Sequence, residues 1–424
     1  MAEQFINHGV WWLPDDQNNK YFGYQENLPN GQFKVSLISE GQKFPPEIKY
    51  DPNNGTILNG CSLENGPINI VDVHSFRARE RLHFDNQYPR VSQTDFFGRW
   101  CLLGPPILNY GDIAYNLATL QIDNLFEWAY HSKSNSYALH QFFDVDAISI
   151  RDKPTYLHSF NISIGTIVVY IIFDFISSDR GTQWTPKVKV SFLFNKHNNL
   201  EAIDEISRKL AMFISLATMA KSPLNDVVLV DTEKHEDYVH TLVTGGSTTT
   251  SKFERGNMLF GLKDTMLLPN DFFDRWLTDP EFYLIYSVAI TAIFSNNIFP
   301  EDKFIAMTRI LERYERNYLN SHISGKGKFD RRLAAILDQH DYWVKFFMKD
   351  RDKFIKYIVQ TRNTIAHHLS PRPYLDDINK FFRASDLLEL LVCCCILGII
   401  GFHDDFIKDT SLGCFKYFHV GRSY

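Results

Sequence analysis

Apolar residues alternate along the first part of this chain and recur every third or fourth position along the last. A period of two marks a half-buried strand, and a period near 3.6 marks a helix with one buried face. The two patterns are segregated, which predicts an α+β protein of two domains, β-rich first and all-helical second. Gln32-Phe33-Lys34-Val35-Ser36-Leu37-Ile38 alternates, and Asn30-Gly31, Asn53-Asn54-Gly55, Asn59-Gly60 and Asn65-Gly66 read as turns between strands. Runs at 163–175 and 187–194, rich in Val, Ile and Phe, read as central strands of a sandwich or barrel. One helix is expected over 200–220, with Ile203, Ile206, Leu210, Phe213, Ile214 and Ala217 at helical spacing. Short strands follow at 227–230 and 238–243, then a Gly/Ser/Thr loop at 245–251. The expected domains are residues 1–265 and 270–424.

Beyond residue 270 the punctuation is that of helices. Asp279-Pro280-Glu281 joins a capping Asp to a Pro at the first helical position, opening a helix that should run to about Asn296. Pro300-Glu301-Asp302 opens the next, to about Tyr318, with Phe304, Met307, Leu311, Tyr314 and Tyr318 as its apolar stripe. Shorter helices are expected at 330–339 and 341–348, and a long apolar one at 376–401. Ser324-Gly325-Lys326-Gly327-Lys328 reads as a solvated connection, because no strand precedes it as a phosphate-binding P-loop requires.

An amphipathic run at 344–359 leads into Thr361-Arg362-Asn363-Thr364-Ile365-Ala366-His367-His368. Ile355, Ile358, Val359, Ile365, Ala366 and Leu369 form the expected buried stripe, with Arg362 in its midst. An arginine in that position is costly unless its guanidinium meets a partner. Asn363 and His367 are four apart and share the neighbouring face. This is the only arginine in the chain followed five residues later by a histidine. Guanidinium binds phosphate oxygens and keeps its proton, while imidazole exchanges one near neutral pH.

Other chemistries find less support. The six cysteines, three of them consecutive at Cys393, Cys394 and Cys395, form neither a disulfide framework nor a C-x-x-C zinc pair. They read as small buried hydrophobes in a reducing compartment. His235 and His240, near Glu236 and Asp237, lack metal-ligand spacing and read as surface residues. Neither a metal nor another cofactor is expected. The start of the sequence lacks a basic segment followed by an apolar one, and the longest apolar run, 390–402, is too short to span a bilayer. A cytoplasmic protein without membrane contact is expected. From Asn270 onward 21 basic residues meet 20 acidic ones, whereas the preceding part carries 23 against 30. The helical part therefore suits a polyanion better than the acidic part does. Trp11-Trp12 reads as core or as a domain-interface anchor. Lys349, Lys353 and Lys356 form a basic stripe at i, i+4 and i+7, a solvated face that can also track an RNA backbone.

Arg362-Asn363-Thr364-Ile365-Ala366-His367 resembles the R-N-x-x-A-H signature of HEPN domains, helical bundles of which many are ribonucleases. Glu312, within Ile310-Leu311-Glu312-Arg313-Tyr314, resembles the acidic residue that HEPN proteins of the ApeA type carry on an earlier helix. Asn54-Gly55-Thr56-Ile57-Leu58-Asn59-Gly60, continuing to Gly66, is similar to the start of the ApeA N-terminal domain. The resemblance implies a metal-independent endoribonuclease that leaves a 2',3'-cyclic phosphate and a homodimer whose two motifs face one groove. It also implies a bacterial role in anti-phage defence by abortive infection, with the N-terminal domain sensing or regulating, in answer to a phage-derived trigger. His367 then takes the acid/base role, Arg362 binds phosphate, Asn363 orients one or the other, Glu312 positions Arg362, and His368 lies at the helix end as a supporting group. Each subunit offers one clear histidine, so a second proton-transfer group must come from His368, the other protomer or water. The alternative is a non-catalytic module of the same type that binds RNA, a nucleotide or a protein. Arg362 can also be a structural arginine whose bond to Glu312 satisfies a buried charge with no catalysis.

Overall fold

The structure is a computed structural model of the chain, and it describes residues 6–28, 31–40, 55–81, 91–131, 154–178, 181–234, 239–243, 253–295, 297–319, 329–348, 350–368 and 373–414. Expectations for 245–251, 324–328, His235, Asn53-Asn54, Lys349 and Leu369 fall outside those residues. The chain divides into two compact units. Residues 1–125, 152–211 and 223–250 make the first; 126–151, 212–222 and 251–424 make the second.

The first unit is a large antiparallel sheet. Its strands are β1 (Ile6–Trp12), β2 (Tyr21–Asn27), β3 (Phe33–Glu40), β4 (Ile57–Ser62), β5 (Gly66–Val71), β6 (His74–Arg81) and β7 (Val91–Gly98). They continue with β8 (Trp100–Leu103), β9 (Tyr115–Ile122), β10 (Thr155–Ile162), β11 (Gly165–Ser178), β12 (Gly181–Asn198), β13 (Leu224–Val230) and β14 (Val239–Val243). Hydrogen bonding joins them in the order β10-β11-β12-β9-β13-β14-β8-β5-β4-β1-β2-β3-β7-β6. Among the described residues, the seam between β14 and β8 matches Thr241 with Leu103 and Leu242 with Leu102. The runs expected as central strands became β11 and β12, which lie second and third from one edge.

Alternation sets which face is buried. On β3, Phe33, Val35 and Leu37 enter a core with Trp11, Leu58, Ile68, Ile70 and Phe96. Trp12, on the other face, is half-buried under Lys20, whose Nζ is 5.4 Å from the ring centre. Gly31 and Gly66, at φ +81° and +72°, make the turns expected of them. Asn59-Gly60 does not: it lies inside β4, where Gly60 pairs with Trp11. Asn59 is fully buried, and its Nδ2 donates to the Ile107 carbonyl at 2.9 Å. The tryptophan ring occupies the space a Cβ on Gly60 would need. His240, read as a surface residue, is buried on β14.

The second unit is helical. Helix α1 spans Leu125–Tyr130, and α2 (Leu200–Thr218) contributes its last turns. Then come α3 (Leu262–Thr265), α4 (Phe272–Thr278), α5 (Pro280–Phe294), α6 (Pro300–Tyr318), α7 (Phe329–Gln339), α8 (Asp341–Phe347), α9 (Arg351–Ala366), α10 (Ile378–Ile400) and α11 (Asp404–Gly413). Phe213 is packed against Trp128, Phe260, Phe272, Phe273 and Trp276 at centroid distances between 5.1 and 6.0 Å. This cluster uses four of the chain's 35 phenylalanines. The Asp279 carboxylate accepts from the Glu281 and Phe282 amides, capping α5. Gly401, at φ +111°, stops α10 in the left-handed conformation that glycine reaches without steric cost.

Five of the six cysteines are buried, those at 393, 394 and 395 in the middle of α10, but Cys61 is exposed. The Lys303 ammonium is paired with the fully buried Glu389 of α10. Helix α6 packs against α5, α7, α9 and α10, and α9 also packs against α7. The amphipathic run at 344–359 is not one helix. Asp350 interrupts it by accepting from the Lys353 amide at 3.0 Å, which caps a new helix at Arg351.

Candidate functional site

Helix α9 buries Phe354, Ile355, Ile358, Thr361 and Thr364. This face is shifted from the expected one, since Val359 and Ile365 are only half-buried and Ala366 is exposed. Full burial of Phe354 and Ile358 contributes roughly 1.5–3 kcal/mol each and pins the helix to its neighbours. The helix ends at Ala366, so His367 is its C-terminal cap, with its amide donating to the Asn363 carbonyl. His368 follows at φ +49°, in the left-handed region, its amide bonded to the Ile365 carbonyl.

Arg362 is 27 % exposed and reaches toward α6, where Glu312 is 17 % exposed. Its Nη2 donates to both carboxylate oxygens, at 3.2 and 3.1 Å. Its Cζ is 5.1 Å from the centre of the Phe329 ring on α7, a cation–π contact. Its Nη1 is 3.5 Å from the Asn363 Oδ1, too far for a strong bond. One terminal nitrogen therefore carries the ion pair, and the rest of the guanidinium fork has no short hydrogen bond among the described residues.

Glu312 belongs to a larger cluster. One turn along α6, Glu315 is 2 % exposed, with Arg332 Nε of α7 at 3.1 Å from its Oε2. Burial pushes the Glu315 carboxyl up, against the pull of Arg332 and Arg316. Arg332 Nη1 is also 3.9 Å from Glu312 Oε1. Two carboxylates and two guanidiniums thus lie at the junction of α6, α7 and α9, and their formal charges cancel.

The opposite side of α9 is polar. Lys353, Lys356 and Gln360 are exposed, as is His367 at the helix end, and Asn363 is half-buried. With 3.6 residues per turn, Lys356, Gln360, Asn363 and the His367 position align at i, i+4, i+7 and i+11. Lys353 and Lys356 are on the helix, and Lys353 pairs with Asp350 at 3.0 Å. The structure thus brings Arg362 to Glu312 and puts Asn363 and His367 on the open side of the same helix end.

Phe329, Arg332 and Glu315 were not anticipated. The signal was present for Arg332, which falls among Phe329, Leu333, Ile336 and Leu337 on the buried face of α7. That is the anomaly by which Arg362 stands out on α9. Among the described residues no group of three or more His, Cys, Asp or Glu is arranged to hold a metal ion, and no helix is long and apolar enough to cross a membrane.

Two family models match the chain in succession: ApeA N-terminal domain 1 over residues 7–276, and Apea-like HEPN over residues 288–406. No curated protein and no solved structure matches it.

Proposed function

The chain belongs to the ApeA-like HEPN family, and from that membership we propose that it is an endoribonuclease that cuts RNA without a metal. The observation that carries this reading is the arrangement at the end of α9. Glu312 and Phe329 hold Arg362 from one side, while the exposed His367 and half-buried Asn363 lie on the open side. In the proposed reaction a base takes the ribose 2'-hydroxyl proton and O2' attacks phosphorus. The P–O5' bond breaks, and an acid gives O5' its proton, leaving a 2',3'-cyclic phosphate and a 5'-hydroxyl. Arg362 stabilises the charge on the phosphoryl oxygens, His367 moves a proton, and Asn363 orients one of them.

Two proton transfers call for two groups, and one chain presents His367 with His368 beside it. A homodimer through the helical domain (residues 270–424) supplies the second imidazole from the other subunit. Lys353 and Lys356 extend the phosphate path along α9, with Lys349 preceding them in sequence. The β-rich domain (residues 1–265) senses or regulates, answering a phage-derived trigger in abortive infection within the bacterial cytoplasm. No cofactor takes part.

The test compares RNA cleavage by wild type, Arg362→Ala and His367→Ala in the presence of a chelator, with end-group analysis of the products. The reading fails if both variants, correctly folded, cut as fast as wild type, and a chelator-sensitive activity points to a metal nuclease instead. Titrating wild type with excess His367→Ala tests the shared groove: activity per wild-type chain should fall as mixed dimers form. Activity unchanged by that titration removes the dimer from the mechanism.

A second reading rests on the ion pair itself. Glu312 already balances the Arg362 charge, as it would in a module that binds RNA, a nucleotide or a protein without cutting. Retained RNA binding with no cleavage of tRNA, rRNA or mRNA decides for it.

A further inference from the structure

We propose that Arg332 is a positioning residue that acts through Glu312 to hold Arg362 in its working orientation; the inference rests on the nuclease reading above. Helix α7 carries none of the R-N-x-x-A-H motif, yet it meets the motif arginine in two ways. Phe329 supports the guanidinium face, and three residues later Arg332 reaches the carboxylate that the guanidinium is bonded to. Spacing of i and i+3 puts both side chains on one face of α7. The bland account is that Arg332 only compensates the buried Glu315, with which it makes the shorter contact. That account covers its Nε. It leaves unexplained why the other end of the same guanidinium lies 3.9 Å from Glu312.

The charge balance makes the second contact consequential. With Arg332 present, Glu312 is shared between two guanidiniums, and Arg362 engages it through Nη2 alone. Without Arg332, Arg362 is the one cation left within 4 Å of Glu312 among the described residues, and more of the carboxylate's attraction falls on it. The guanidinium then turns inward toward Glu312, and Nη1, which has no short bond among the described residues, is withdrawn from the side where a phosphate would bind. A charge-assisted hydrogen bond to phosphate is directional, so a small rotation is felt in the rate.

The experiment uses the full chain and single-turnover RNA cleavage by wild type, Arg332→Met, Arg332→Lys, Glu312→Gln and the double variant Glu312→Gln/Arg332→Met. Nitrogen-15 NMR of the Arg362 Nε–H, assigned by its loss in Arg362→Lys, reports the orientation of that side chain directly. Arg332→Met should slow cleavage about tenfold and shift the Arg362 resonance, and Arg332→Lys should restore most of the rate. In the Glu312→Gln background the same change should cost under about twofold, because the intermediary is already gone. Should Arg332→Met fail to fold, Arg332→Gln with Glu315→Gln removes the buried pair together and still deletes the contact to Glu312. An equal loss in both backgrounds, or an unshifted Arg362 resonance, overturns the proposal. Wild type that cuts no RNA refutes the nuclease reading instead, and the resonance alone then decides whether Arg332 positions Arg362.

Discussion

Arg362 and Glu312, fifty residues apart in sequence, are joined through one guanidinium nitrogen that reaches both carboxylate oxygens. An arginine bound in this way is anchored without being used up. The geometry separates two properties that a mutation can remove independently, the positive charge and the planar fork.

Arg362→Lys keeps the charge and loses the fork. Cleavage should fall by about 10²-fold or more, the cost of removing a donor from a developing oxyanion. Stability should change by no more than about 1 kcal/mol, because the pair is partly solvated. Kinetics and thermal melts on the same preparation check both halves.

Lys353 and Lys356 should act on binding and leave chemistry alone. Replacing either with Ala should raise KM with kcat at saturation unchanged. It should also flatten the dependence of log K on log salt by about 0.7, as expected for one phosphate contact on single-stranded RNA. A fall in kcat would put the side chain nearer the reacting atoms than the exposed face of α9 suggests.

His240 should make the protein sensitive to acid. Its Nε2 donates to the Pro105 carbonyl at 3.0 Å, which leaves Nδ1 to accept from the Tyr115 hydroxyl, also at 3.0 Å. Burial lowers its pKa below the ordinary 6.5; the Pro105 bond opposes this and Lys234 adds to it. Below 6.5 the unfolded chain takes up a proton that the folded chain resists. The contribution is therefore complete above that value and is lost as pH falls through the lowered folded pKa. His240→Phe should melt lower than wild type at pH 7.5, yet lose less of its melting temperature on going to pH 5.5.

Gly60→Ala should destabilise the sheet by about 1–3 kcal/mol, since the new methyl must displace the Trp11 ring from a closed core. Chemical denaturation followed by tryptophan fluorescence reads the loss. The helical unit's near-ultraviolet signal offers an internal control.

Much of this was legible from local chemistry. The prolines at 280 and 300 and the glycine at 401 punctuate the helices where they act. The anomaly of a charged side chain on an apolar face led to Arg362. What escaped was decided at long range. Asn59-Gly60 has the composition of a turn, but a carbonyl forty-eight residues away accepts from the Asn59 Nδ2, and a tryptophan on the neighbouring strand takes the space beside the glycine. Asp350 was hidden because apolar spacing continues across it, and only its bond to the Lys353 amide reveals a new helix start. The two long strands β11 and β12 are apolar enough to be central, yet pairing order places them near an edge, and apolarity alone carries no information about order.

The left-handed residue after the motif has a cost and a use. A side-chain-bearing residue held there costs roughly 1–2 kcal/mol, which a glycine would avoid. Glycine would also give the unfolded chain, and the fraying helix end, many more conformations. With His368 in that place the backbone stop is strained but narrowly defined, and it narrows the paths open to the backbone that carries the imidazole immediately before it. The chain thereby trades a little stability for a backbone that wanders less beside the imidazole proposed to move a proton.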